Sequence, residues 1–261
     1  MMNFYLTFLF LIFPLVGQVI NSPTIETLIS KVEKPFWLVV DLDNTIFEGK
    51  EALGHSHWFD DQFIQESAKG LTKPQIVEKL YITWTETQKV NQVQPVEERF
   101  ISWIHELQKD GVPVFALTAR QPVLAASTNR QLASIGLDFS LTAPKGELKT
   151  SFEYPILYEK GVIYVHDLNE KGALLSAFLD DNNLQPPKIL FVDDKLHHAE
   201  AVDAALTKRG IEVIALHYTA LMEREPIYNA TIAKFQKEKF QKLLSNDEAL
   251  LLLHHQPDIH Q

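Results

Sequence analysis

The feature that most constrains this chain is a set of short apolar runs that stop abruptly in polar groups. Residues 36–40 (Phe-Trp-Leu-Val-Val) meet Asp41, residues 112–117 (Val-Pro-Val-Phe-Ala-Leu) meet Thr118, and residues 189–192 (Ile-Leu-Phe-Val) meet Asp193 and Asp194. Residues 211–216 make a fourth such run. Runs this short and continuously apolar read as strands buried on both faces, the mark of a parallel sheet. Longer stretches of helical periodicity separate them, so an α/β fold is expected: a Rossmann-like parallel sheet with helices on both faces. In open sheets of this kind ligands bind outside the carboxyl ends of the strands, so three polar strand ends nominate one site.

The connections carry more than the crossovers need. Residues 41–111 exceed one crossover helix. Within them Ile76, Leu80 and Trp84 recur beside Val77 and Tyr81, and Val96, Phe100, Trp103, Ile104 and Leu107 form a second helical stripe. An inserted helical cap over 46–111 is expected, between core segments 23–45 and 112–245. After a helix starting near Pro122, two β-rich stretches flank Glu159-Lys160-Gly161 and read as a small β-hairpin insertion. Asn169 reads as the cap of a helix through residues 173–179, and His197 and His198 begin another that Gly210 ends. Ile232, Phe235, Phe240, Leu243 and Leu244 suggest a last amphipathic helix starting at Asn229, and 246–261 reads as a C-terminal tail.

Residues 4–20 hold no charged side chain and end in Asn21-Ser22-Pro23, which resembles the apolar core of a secretory signal peptide. Residues 1–22 are therefore read as a signal peptide or, since no Lys or Arg precedes the run and its length approaches a membrane span, as an uncleaved N-terminal anchor. Either way the body is expected outside the cytoplasm, periplasmic or secreted, with membrane attachment only through that segment. With 24 Lys plus Arg against 34 Asp plus Glu, the net charge of −10 provides no counterion-release drive, and no nucleic-acid partner is expected. The absence of cysteine excludes disulfides, thiolate zinc and iron–sulfur sites, so any metal must be held by oxygen or imidazole.

Asp41-Leu42-Asp43-Asn44-Thr45 directly follows the first strand. A period of two puts Asp41 and Asp43 on one side, where the carboxylates would repel each other and any phosphate dianion. A hard cation such as Mg²⁺ resolves that conflict. A solvated strand end, or a turn capped by Asp and Asn, explains the same residues equally well. Further on, Thr118 with Ala119 and Arg120 offers a hydroxyl and a backbone amide to a phosphate oxygen. Lys171 brings positive charge to a helix start, and Asp193-Asp194 supplies another carboxylate pair.

In that order these motifs resemble the haloacid dehalogenase (HAD) superfamily over roughly residues 36–218. Asp41-Leu-Asp-Asn-Thr, residues 54–59 ending in Trp58-Phe59, and Glu170-Lys171-Gly172 also resemble a small, uncharacterised branch of exported bacterial HAD-like proteins. The resemblance implies a Mg²⁺-dependent phosphomonoester hydrolase acting on a small phosphorylated substrate. Asp41 matches the nucleophile that forms an aspartyl-phosphate, and Asp43 matches the general acid and base, its backbone carbonyl on the metal. Thr118 and Lys171, with Asn44 and Ala119, match the phosphate-holding groups; of the acidic pair Asp194 aligns better with the further metal ligand, while Asp193 would ligate or support it from behind. Where the family often has another acidic residue or Asn after that pair, this chain has His197 and His198. A phosphomutase, or a HAD-like binding protein without turnover, would carry the same motifs. At the entrance to the cap, His57 or Trp58 would contact the leaving group, or else form a polar turn and a packing tryptophan. Arg120 would orient substrate or pair with a carboxylate.

Overall fold

The structure, a computed structural model, describes residues 18–222, 224, 226–239 and 244–254. The elements in order are β1 (Gln18–Ser22), α1 (Glu26–Ile29), β2 (Trp37–Val40), β3 (Phe47–Gly49), α2 (Ser56–Ala68), α3 (Lys73–Gln88), β4 (Val93–Pro95), α4 (Glu98–Lys109), β5 (Val114–Thr118), α5 (Ala125–Ser134), β6 (Leu157–Glu159), β7 (Val162–Tyr164), α6 (Lys171–Asp181), β8 (Lys188–Asp193), α7 (Leu196–Thr207), β9 (Glu212–Tyr218), α8 (Ala230–Glu238) and α9 (Asn246–His254). One sheet runs β1-β9-β8-β2-β5-β7-β6, parallel throughout except for the edge strand β6.

Side-chain alternation divides the core cleanly. Leu38 and Val40 of β2 and Leu190 and Val192 of β8 point to the face covered by α4 and α5, while Val39, Phe115 and Phe191 point to the face covered by α6 and α7. Both faces are apolar because both are covered, which is why these strands show no polar positions in sequence. Helices α6 and α7 approach closely at Gly172, where an added Cβ would meet the Ala201 carbonyl oxygen at 2.4 Å and the Ala205 Cβ at 2.9 Å. Gly172→Ala must push the two helices apart. We expect a cost of about 1–3 kcal/mol, read as a melting midpoint roughly 2–12 °C lower; an unchanged midpoint would mean the helices separate freely.

Several boundaries differ from the sequence expectation. The leader expected over residues 1–22 lies outside the described residues up to position 17, but Gln18–Ser22 pairs in parallel with β9, Ile20 opposite Leu216. The core sheet therefore starts before residue 23. The hairpin is no insertion: β7 lies beside β5, Ala116 opposite Val162, and left-handed Lys160 (φ 49°) and Gly161 (φ 75°) form its turn. Helix α4 packs Phe100, Trp103, Ile104 and Leu107 onto the sheet, so it belongs to the core layer, not to the cap. The cap consists of α2 and α3, while the small antiparallel β3–β4 ribbon places Phe47 and Val93 in the core cluster. Ile232 and Phe235 of α8 join the apolar cluster of that cap, as does Ala249 of α9, a helix where a tail was expected. Of the expected last stripe, Phe240 and Leu243 lie outside the described residues.

Candidate active site

Asp41 extends β2, and its backbone amide donates to the Val192 carbonyl of β8 at 2.8 Å, which fixes the two acidic strand ends side by side. The chain then turns tightly, with Asn44 in the left-handed region at φ 62°, a conformation asparagine tolerates. Lys171, at the first position of α6, lies under this turn with only 2% of its side chain exposed. Its Nζ donates to Asp41 Oδ1 and to Asp193 Oδ2, each at 2.6 Å. Oxygens of Asp41, Asp193 and Asp194 all lie within 4.8 Å of one another.

One ammonium cannot neutralise three carboxylates. Burial pushes Asp41 up to about 7 against the pull of Lys171. Burial also acts upward on Asp193, but Lys171 and His198 outweigh it and hold that carboxyl well below the usual range. Asp194 is raised well above its ordinary value by burial, and Asp193 and Asp41 add to the rise beyond the relief from Lys195. Lys171 is raised, because the two carboxylates outweigh its desolvation. The donor set is all oxygen, and its excess charge is negative.

The two members of the acidic pair differ in what they face. Asp193 is fully buried and accepts from Lys171, from the Lys195 amide at 2.8 Å and from His198 Nδ1 at 3.3 Å. Asp194 lines the cleft, and among the described residues its carboxylate receives only a long bond of 3.4 Å from Asn44 Nδ2 and a 3.7 Å approach of Lys195. Asn44 is not part of the cleft wall, and its Oδ1 is a buried oxygen with no hydrogen-bond partner among the described residues. Thr118 and Ala119 line the cleft at the end of β5, the Thr118 hydroxyl accepting from the Arg120 amide at 3.2 Å.

Arg120 pairs with a carboxylate. Its Nε and Nη2 grip Asp43 Oδ2 and Oδ1 at 2.6 and 2.8 Å. Nη1 donates to Thr128 and Gln131, and Nη2 reaches Gln88 at the end of cap helix α3 at 3.4 Å. Asp43 therefore lines the cleft, as the spacing suggests, but is turned toward the guanidinium.

The cap closes the other side of the cleft with Ser56, Phe59, Asp60, Tyr81 and Trp84. Lys195 Nζ reaches across to Asp60 at 2.6 Å. Neither His57 nor Trp58 is part of this wall. Trp58 lies parallel to Trp84 inside the cap cluster, 2% exposed, and His57 packs against His55. Sequence reasoning missed Asp167, which lines the cleft just past β7, and Tyr81, which donates to it at 2.5 Å. Residues 162–165 are a short apolar run meeting His166 and Asp167, the same signal that marked the other strand ends. Asn169 caps no helix; its side chain ties Tyr154 to Val165.

The chain is 32% identical over 265 residues to a Chlamydia muridarum protein named "Putative outer membrane protein", covering 98% of this chain and 100% of that one. A Chlamydia trachomatis protein of the same name is 30% identical over 256 residues, covering 95% and 96%. Solved structures with some likeness include a haloacid dehalogenase-like hydrolase from Streptococcus pneumoniae, at 14% identity, TM-score 0.40, 69% of this chain and 93% of that one. Another is the class C acid phosphatase from Bacillus anthracis, at 15% identity, TM-score 0.35, with 90% and 84% covered. A family model described as protein of unknown function (DUF2608) matches residues 19–250, and the chain belongs to that family.

Proposed function

We propose that this chain is an exported phosphomonoester hydrolase of the HAD type, working through an aspartyl-phosphate on Asp41. The observation that carries the reading is convergence: Asp41, Thr118 and Asp194 come from three strand ends to one cleft, and the buried Lys171 bonds both Asp41 and Asp193 at 2.6 Å. The relatives' name supports placement in the cell envelope. Among the described residues no helix is long and apolar enough to cross a membrane.

The donors fit Mg²⁺. Three carboxylates with a single lysine, all hard oxygen, leave unmatched negative charge that a divalent cation would satisfy. Asp41, Asp194 and the Asp43 carbonyl would hold the ion, with Asp193 orienting Lys171 from behind. Bound there, it would supply charge neutralisation for a phosphate otherwise repelled by the aspartates. Asp41 attacks phosphorus, while Lys171 and the Thr118–Ala119 loop hold the equatorial oxygens. Asp43 gives a proton to the leaving oxygen and later takes one from water. Because both Asp43 oxygens are engaged by Arg120, that step requires the carboxylate to turn from the guanidinium toward the substrate.

The test is hydrolysis of 4-nitrophenyl phosphate by the purified protein between pH 5 and 8. Turnover is expected with Mg²⁺ and should disappear with EDTA and return on adding Mg²⁺ back. No turnover with Mg²⁺ at any pH in that range would reject the reading.

A further inference from the structure

One wall of the cleft is not used by the phosphatase chemistry. Asp167 lines it, half-buried, and Tyr81 Oη lies 2.5 Å from Asp167 Oδ2 and 3.4 Å from the Ala119 carbonyl. Asp167 is thus one hydroxyl away from the loop that would hold the phosphate. The two basic residues that line the cleft, Arg120 and Lys195, are engaged by Asp43 and Asp60, and the buried Lys171 is held by Asp41 and Asp193. Among the described residues none forms an ion pair with Asp167. Burial pushes its carboxyl up to about 6, against the Tyr81 hydrogen bond and the charge of Lys73, an exposed lysine that makes no ion pair with it.

The cap side of the same cleft is largely aromatic. Phe59, Tyr81 and Trp84 line the same cleft, Phe59 standing edge-on to the other two at centroid distances of 5.7 and 5.9 Å. Aromatic rings beside a carboxylate attract an organic cation through ring charge distribution and direct pairing together. A neutral alcohol would leave the Asp167 charge unmatched in a partly desolvated site.

We infer that Asp167, with Tyr81, Phe59 and Trp84, forms a leaving-group subsite for an ammonium group, making the substrate class a phosphomonoester of a short amino alcohol. The inference rests on the phosphatase reading for where the phosphate sits. Specificity then comes from a carboxylate that, among the described residues, has no cation within ion-pair distance.

The experiment compares two ligands of equal size, O-phosphoethanolamine and 2-hydroxyethyl phosphate, by calorimetric binding to the Mg²⁺-supplied protein and by turnover. Binding of the ammonium ligand is expected to be about tenfold tighter, near 1.4 kcal/mol by the tenfold rule. Asp167→Asn should bring the two within about threefold. Phe59→Ala, at a half-exposed position, should weaken the ammonium ligand more than the hydroxyl one and serves if Asp167→Asn does not fold. A binding preference without turnover would sink the phosphatase reading and leave the subsite standing. Turnover with equal affinities, a preference that survives both substitutions, or no binding of either ligand would overturn the subsite.

Discussion

Lys171→Met is expected to lower the melting midpoint by roughly 6–20 °C at pH 7.5, corresponding to about 3–5 kcal/mol for removing one partner of a buried ion cluster. The side chain is 2% exposed and donates to two carboxylates at 2.6 Å. Methionine fills the space but leaves Asp41, Asp193 and Asp194 facing one another within 4.8 Å. The sign of the pH dependence follows from Asp193. Lys171 and His198 hold that carboxyl low against burial, so its contribution is present above the unfolded-state pKa near 4 and is lost as pH falls. The gap between variant and wild type should therefore narrow below about pH 4. Adding Mg²⁺ at pH 7.5 should restore part of the midpoint, since a divalent cation relieves the same repulsion. Turnover should fall roughly 10²–10³-fold, as for loss of comparable electrostatic donors. A variant that melts with wild type would show that Lys171 does not stabilise the Asp41 and Asp193 carboxylates it bonds.

How much of this arrangement is legible in the sequence depends on whether a signal is local. The ends of β2, β5 and β8 are local signals: an apolar run covered on both faces must stop where polar groups begin, and Asp41, Thr118 and Asp193 mark those points. β1 is not legible, because Gln18–Ser22 merges with the apolar run before it and no break in hydropathy separates them. A helical stripe tells that α4 buries one face but not which layer receives it, and tertiary packing alone assigns Phe100 and Trp103 to the sheet. The β7 end follows the same rule as the other strand ends. Its turn at Lys160-Gly161 reads locally as a separate hairpin, and that hides Asp167.

Side-chain direction is the least legible layer. Spacing puts Asp41 and Asp43 on one side, yet Asp43 answers to Arg120, a residue whose own position depends on Thr128, Gln131 and Gln88 from two other helices. Trp58 carries the same letter whether it contacts a ligand or packs. Its partner Trp84 lies on another helix, and only the fold brings them within 6.3 Å. Lys171 shows the opposite case: as an isolated lysine it reads as solvent-facing, and the order of motifs around it is what nominates it. The structure brings it between Asp41 and Asp193.

The second large effect is expected of Asp41→Asn, which removes the proposed nucleophile while keeping side-chain shape. Turnover of 4-nitrophenyl phosphate should fall roughly 10³-fold or more, since the amide cannot form the acyl phosphate. Stability should move the other way. Burial raises the Asp41 carboxyl to about 7, so its protonated form is the comfortable one in the fold. A raised carboxyl contributes stability that is fully present below the unfolded-state pKa near 4 and is lost as pH rises through about 7. Asparagine stays neutral and escapes that loss. In metal-free buffer the stability of Asp41→Asn relative to wild type should therefore climb between pH 5 and pH 8, by an amount on the order of a few kcal/mol at the upper end, and its midpoint should climb with it. Added Mg²⁺ should reverse the ranking at pH 8, because wild type keeps one more carboxylate for the ion. Retained turnover would remove Asp41 as nucleophile. A midpoint offset that does not change with pH would instead mean that Asp41 does not titrate under the control of burial and its two acidic neighbours, and the charge argument for a cation in this cluster would lose its footing.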